Sequence, residues 1–198
     1  MRLGIFLLPN NEFKRQITKW KKRIEEKIPN QPYTAHPPHL TLITLDVGDK
    51  EKSIAAISSL SKSINSFQLI IDKTDIFWND MVTNGHTLFY GIEKNKSLFT
   101  LQKMVADSLL EFKNNNPKMN FNTENEEFRK SYNKYGFPFI GDHWIPHFSI
   151  SSIHSQSTHS IIDEFLSLDI RFSFIIDKIT IWEINSNQHK KLKELSLL

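Results

Sequence analysis

No cysteine occurs in the 198 residues. Disulfides and thiolate metal sites are therefore excluded, and a reducing cytoplasm, the expected location, is permitted. Long apolar runs are missing as well. The opening LGIFLL covers only Leu3 to Leu8 before Pro9-Asn10-Asn11 interrupts it. That is too short for a secretory core and far short of a membrane span, so it reads as a first strand and no membrane association is expected. Nor is there a large charge excess. A net charge of +3 with clustered lysines inclines the chain toward polyanionic partners without selecting one, since many basic proteins touch no nucleic acid. What is present is ordinary globular material. With 39% hydrophobic residues, 1–198 suffices for a single domain with a sizeable core, built as one body or as two lobes sharing a cleft.

Periodicity supplies the elements. Phe13, Ile17, Trp20, Ile24 and Ile28 recur at helical spacing behind Asn10 or Asn11 as cap, with lysines and arginines filling the other face. His39 to Leu45 reads as a strand, Asp49 to about Asn65 as a weaker helix, and Gln68 to Trp78 as another strand. Asn84-Gly85 then signals a tight turn into a strand of Thr87 to Ile92. Leu98, Leu101, Val105, Leu109 and Phe112 form the most regular helical stripe. The stretch 113–135 is polar and asparagine-rich, has no sustained period, and predicts an insertion or lid. Pro146 to Ile153 follows as a strand and Thr158 to Leu166 as a short helix, with Ile170 to Ile176 and Ile179 to Ile184 as closing strands.

In order, these elements read β-α-β-α-β twice, with one more strand at the end. The chain repeats itself. In each half the middle strand opens with Pro-His, and the partners fall into register: Pro38 with Pro146, His39 with His147, Leu40 with Phe148, Thr41 with Ser149, Leu42 with Ile150. A bare His-x-Ser/Thr is expected about once by chance in a chain with eight histidines. PHLTL and PHFSI, one in each matching unit, form a far more specific pattern.

Strand geometry turns the pattern into a site. Side chains at i and i+2 share a face, so His39 points with Thr41 and His147 with Ser149, while Leu40, Leu42, Phe148 and Ile150 face the core. Two such halves packed with these faces opposed would enclose two imidazoles and two hydroxyls. Such a set suits a phosphodiester. One imidazole can activate the attacking oxygen and the other protonate the leaving one near neutral pH. The hydroxyls can donate to the non-bridging oxygens.

PHLTL and PHFSI resemble the paired His-x-Thr/Ser motifs of the two-histidine (2H) phosphoesterase superfamily, which includes 2′,3′-cyclic phosphodiesterases and 2′-5′ RNA ligase-like proteins. The resemblance covers essentially the whole chain. It implies an α+β, bilobal, pseudo-duplicated fold: two antiparallel sheets facing a central cleft, with helices outside. It further implies that His39 and His147 are catalytic and that Thr41 and Ser149 bind the substrate phosphate. The expected function is a metal-independent phosphodiesterase acting on RNA-type 2′,3′-cyclic phosphates or on 2′-5′ linked or cyclic nucleotides. The alternatives are 2′-5′ RNA ligation, or a non-catalytic protein that binds nucleotides or RNA ends. The expected partners are RNA ends, oligonucleotides or cyclic nucleotides as substrate. The expected state is a monomer without cofactor.

Other features support less. His36 with His39 and His143 with His147 suggest a four-histidine metal site, but neither motif holds an acidic ligand, and on an extended backbone i and i+3 face opposite ways, so no metal is expected. The basic helix around KRQITKWKKR reads as a solvated face rather than as an RNA contact. Tyr33, Tyr132, Tyr135, Phe137 and Phe139 lie near the motifs, where stacking on a nucleobase and packing of the insertion are equally plausible.

Overall fold

The computed structural model describes residues 1–114, 124–154, 160–185 and 188–198. The strands are β1 (Arg2–Leu7), β2 (Leu40–Asp46), β3 (Phe67–Phe77), β4 (His86–Ile92), β5 (His147–Ile153), β6 (Phe172–Ile176), β7 (Lys178–Asn185) and β8 (Gln188–Ser196). The helices are α1 (Asn11–Lys27), α2 (Lys50–Ser61), α3 (Lys96–Ser108), α4 (Glu126–Tyr135) and α5 (Ser160–Leu166). Helix starts follow the local chemistry. Asn10, Asp49, Asn95 and Asn125 each accept a hydrogen bond from an amide of the first turn of α1, α2, α3 and α4, satisfying donors that have no intrahelical partner. Gly136, at φ 71°, ends α4 in the left-handed conformation that glycine adopts without steric cost.

The architecture is α+β, as the sequence implies, but the two expected sheets are joined into one. A single antiparallel sheet runs β6-β3-β4-β5-β2-β1-β7-β8. Its halves meet where β2 and β5 touch, at the single pair Leu40↔Phe148. The join has a physical reason. Each motif strand would otherwise expose an unpaired edge beside the core, and pairing the two starts removes that edge before the strands diverge. The pairing also departs from the expected units. β3 leaves β1 and β2 to pair with β4 and β6, while β7 returns to pair with β1. The helices cross over as well: α1 follows β1 yet packs on β5, and α3 follows β4 yet packs on β2.

The core lies under this exchange. Phe13, Ile17 and Ile24 of α1 are fully buried, and the Phe13 ring lies 5.2 Å from Tyr90 and 5.3 Å from Phe148, so one residue ties α1 to β4 and β5. Three further expectations need correction. The tight turn at Asn84-Gly85 is part of a longer loop between β3 and β4, in which Asn79 and Asn84 both have positive φ. The polar stretch 113–135 ends in α4, whose amphipathic pattern is shorter than the window in which a helical period is legible; 115–123 lie outside the described residues, as do 158–159 at the start of the helix expected from Thr158. β8 was not expected at all. It is a lysine-rich outer strand paired only with β7, and its charges, which keep such an edge from pairing with other chains, mask the strand pattern. Among the described residues no helix is long and apolar enough to cross a membrane.

Candidate active site

The two motif strands share one irregularity that positions their side chains. β1 and β2 shift register between Ile5 and Phe6, so that Ile5 faces Ile43 but Phe6 faces Thr41, leaving Leu42 as an extra residue. β4 and β5 do the same between Leu88 and Phe89: Leu88 faces Ser151, Phe89 faces Ser149, and Ile150 is extra. The bulge falls at equivalent residues of both motifs, and its extra residue resets the alternation of faces. Leu42 and Ile43 are therefore both buried, and Thr44 rather than Ile43 lines the cleft.

His39, Thr41, His147 and Ser149, the four residues singled out from the sequence, line one cleft of about 670 Å³. The rung between β2 and β5 brings them together. With Leu40 opposite Phe148, the antiparallel register carries Thr41 toward His147 and His39 toward Ser149. Among the described residues, neither the Thr41 nor the Ser149 hydroxyl has a protein hydrogen-bond partner, which leaves both able to donate to a ligand.

Both imidazoles are held alike. His39 Nδ1–H donates to the Pro37 carbonyl and His147 Nδ1–H to the Ile145 carbonyl, each at 2.7 Å. A carbonyl can only accept, so each contact fixes the tautomer and leaves Nε2 as the nitrogen available for proton transfer. Each ring also rests on a phenylalanine from the neighbouring strand. His39 stacks on Phe6 at 4.2 Å, and His147 lies 5.1 Å from Phe89 and 5.0 Å from Phe77.

The surroundings of the two rings differ in charge. Burial drives the His39 pKa down to about 3; the Pro37 carbonyl opposes the shift, and repulsion from Lys21, His189 and His36 adds to it. Burial also lowers the pKa of His147, but there the Ile145 carbonyl and the Asp80 carboxylate both oppose it. Asp80 is fixed in the β3–β4 loop, where Oδ2 accepts from Thr83 and Thr87 at 3.0 and 2.9 Å and Oδ1 from the Val82 amide at 3.0 Å. His36, lowered to about 4 chiefly by burial, packs edge-on against His189 at 4.3 Å.

The loops that lead into the motifs are fastened across the molecule. The loop before β2 is pinned to the far strand: the Pro32 carbonyl accepts from the Ser152 amide at 3.0 Å and from Ser151 Oγ at 3.2 Å. The loop before β5 is held by Gln102 of α3, which is fully buried. Its Nε2 donates to the Leu42 and Phe139 carbonyls at 3.2 and 2.7 Å, and its Oε1 accepts from the Gly141 amide at 3.1 Å.

Several cleft residues escaped the sequence reading. Lys21 had a local signal: it lies on the buried face of α1 with Phe13, Ile17, Trp20 and Ile24, where a lysine is out of place. Asp80 and Trp78 had none, because only tertiary pairing brings them near the motifs; the same holds for His189, which packs beside His36 and His39 without lining the cleft. Among the described residues, no group of three His, Asp or Glu side chains could hold a metal ion. His143, one member of the four-histidine idea, instead contacts the Pro138 carbonyl through Nε2 at 3.1 Å.

A family model described as the 2′-5′ RNA ligase superfamily matches residues 9–188. No curated protein matches the sequence. Among solved structures, TT0787 of Thermus thermophilus is similar with a TM-score of 0.69 at 16% identity, covering 100% of this chain and 98% of that one. LigT of E. coli, in its complex with 3′-AMP, gives a TM-score of 0.57 at 18% identity, covering 99% and 97%. Usb1 of Kluyveromyces marxianus gives 0.51 at 12% identity, covering 99% and 98%. At these identities the likeness is one of fold.

Proposed function

The chain belongs to the 2′-5′ RNA ligase superfamily of two-histidine phosphoesterases, and we propose that it is a phosphodiesterase acting on RNA-type 2′,3′-cyclic phosphates or 2′-5′ linked nucleotides, its two histidines supplying both proton transfers. Membership supports phosphoesterase-type chemistry. The observation that carries the finer reading is that both imidazoles line one cleft with Nδ1 tied to a carbonyl, leaving two like-disposed Nε2 atoms and two unpaired hydroxyls for a single phosphate.

In this reading His39 is the base and His147 the acid. A base must be neutral before the reaction, and burial, with repulsion from Lys21, keeps His39 so; an acid must carry its proton, and Asp80 favours the charged form of His147. For a 2′,3′-cyclic phosphate, His39 Nε2 takes a proton from water as the water oxygen bonds to phosphorus. The bond from phosphorus to one ribose oxygen breaks, and His147 Nε2–H protonates that oxygen, leaving a phosphate monoester. For a 2′-5′ link, the neighbouring 3′-hydroxyl attacks instead, and the products are a cyclic phosphate and a free 5′-hydroxyl. Thr41 and Ser149 donate to the non-bridging oxygens as charge develops. The 3′-AMP complex of LigT adds support for a nucleotide substrate. The stretch 113–135 serves in this reading as a lid, supported by Phe128 of α4 on the cleft wall. The matched bulges of β2 and β5 support two duplicated lobes.

The test is a screen of 2′,3′-cyclic nucleotides, cyclic dinucleotides and 2′-5′ oligoadenylates with wild type, His39→Ala and His147→Ala. Each substitution removes a positioned acid or base, so turnover should fall about 10²- to 10⁴-fold with the circular dichroism spectrum unchanged. Full activity in either folded variant would refute the assignment. Supplying RNA with a 2′,3′-cyclic phosphate and a 5′-hydroxyl end would reveal ligation as the joined product.

A further inference from the structure

Lys21 presents a physical problem. Its side chain emerges from the apolar face of α1 and is only 6% exposed. Lys21 is among the residues that line the cleft, and its ammonium donates to the Tyr33 carbonyl. Among the described residues, no carboxylate lies within ion-pairing distance. A buried cation without an anion is costly, and an anionic ligand in the cleft would supply the missing charge. Burial lowers its pKa to about 8, so it remains mostly protonated at neutral pH.

The other half of the molecule makes the charge harder to explain structurally. There, α3 fastens the loop before β5 with a neutral amide: Gln102 donates to the Phe139 carbonyl. Lys21 of α1 does the corresponding work for the loop before β2, since Tyr33 sits at φ 72° with its carbonyl turned to the ammonium. Holding a loop carbonyl needs a donor. It does not need a charge.

Further imidazole donors surround the spot. The His36 ring lies 5.6 Å from Tyr33 and 4.3 Å from His189, and His189 lies 6.1 Å from His39. The surroundings of His147 are different: the Asp80 carboxylate acts on it, and Trp78, Val82 and Ile145, which also line the cleft, are 49%, 57% and 51% exposed. The two histidines thus meet opposite charges, the Lys21 ammonium acting on His39 and the Asp80 carboxylate on His147.

We propose that Lys21 and His36 form a second anion subsite, which binds a phosphate of the substrate other than the one being cleaved. The inference rests on the phosphodiesterase reading and narrows it. The preferred substrate is a nucleotide or oligonucleotide with a further phosphate on the His39 side and a base toward Trp78. A nucleoside cyclic phosphate alone leaves the ammonium uncompensated.

Binding rather than turnover is the cleaner test. Three product-like ligands are titrated into the protein by calorimetry: a nucleoside 3′-phosphate, the nucleoside 3′,5′-bisphosphate, and a dinucleotide ending in a 3′-phosphate. A charge-assisted contact to a buried ammonium predicts about 10-fold or more tighter binding of a ligand that carries the extra phosphate. Preference for the bisphosphate identifies a terminal phosphate as the occupant, and preference for the dinucleotide alone identifies an internal diester. Lys21→Gln keeps a donor for the Tyr33 carbonyl but removes the charge, and should bring the ratio of affinities close to one. His36→Gln should reduce it, and it tests the subsite even if the Lys21 variant fails to fold. Equal affinity of wild type for all three ligands, or a preference undiminished in both variants, would overturn the proposal. If wild type shows the preference but cleaves nothing in the substrate screen, the hydrolase reading falls and the subsite stands. If Lys21→Gln weakens all three ligands equally, Lys21 serves the scissile phosphate or the loop, and the second subsite is refuted.

Discussion

At the scale of single residues, what distinguishes the two histidines is their electrostatic surroundings rather than their geometry. The pKa of His39, at about 3, and the lowered pKa of His147 both lie below the ordinary imidazole value. On the proposed roles, the base His39 would be neutral from mildly acidic pH upward, while the acid His147 would lose its proton as pH rises through a value below about 6.5. We expect kcat/KM, which reports the free enzyme, to be highest in the mildly acidic range and to fall toward neutrality. Asp80→Asn removes the charge that favours protonated His147, so the descending limb should move to still lower pH. A limb at or above pH 6.5 in wild type, or one that the Asp80 variant leaves in place, would contradict the assignment of roles. The four motif residues were legible in the sequence because a strand's period of two is local and the pattern occurs twice. The residues that differentiate them were not, because Asp80 and His189 arrive through loop and edge-strand contacts that no local period records.

At the scale of elements, each motif depends on a fastening supplied by the opposite half. Gln102 is the clearest case, since one buried amide satisfies the carbonyl of Leu42, next to Thr41, and two backbone groups of the loop that delivers His147. Gln102→Leu conserves approximate volume but strands these partners away from water, where each unsatisfied group costs about 1 to 3 kcal/mol. We predict a loss of about 3 kcal/mol in urea unfolding together with reduced kcat, because the loop before β5 would no longer hold its position. Unchanged stability would mean that water or a shifted backbone satisfies the same groups. The helices were legible from their caps and stripes, α1 above all. The strand β8 and the helix within 113–135 were not, because one is an edge whose charges face solvent and the other is a short helix beside an unpatterned stretch.

At the scale of the whole molecule, the order of elements was readable but their pairing was not. Periodicity reports which residues face a core, and it cannot say that β3 will join β4 while β7 returns to β1, because both arrangements bury the same residues. That exchange has a thermodynamic consequence. The hydrogen-bonded contact between β2 and β5 is a single rung, which by itself would let two lobes unfold separately. Yet Phe13 of α1 packs on the β4–β5 half, α3 packs on β2, β3 pairs with β4 and β7 returns to pair with β1. Neither run of chain, taken alone, can complete a core. Unfolding in urea should therefore be one transition, with far-UV circular dichroism and tryptophan fluorescence giving the same midpoint. The fluorescence probe is well placed for this comparison, since Trp20 packs on Phe165 of α5 at one side while Trp182 lies in β7 at the other. Two separated midpoints would show that the lobes are independent units. The exchange of strands and helices would then be a feature of connectivity alone, with no part in holding the two histidines at a common distance.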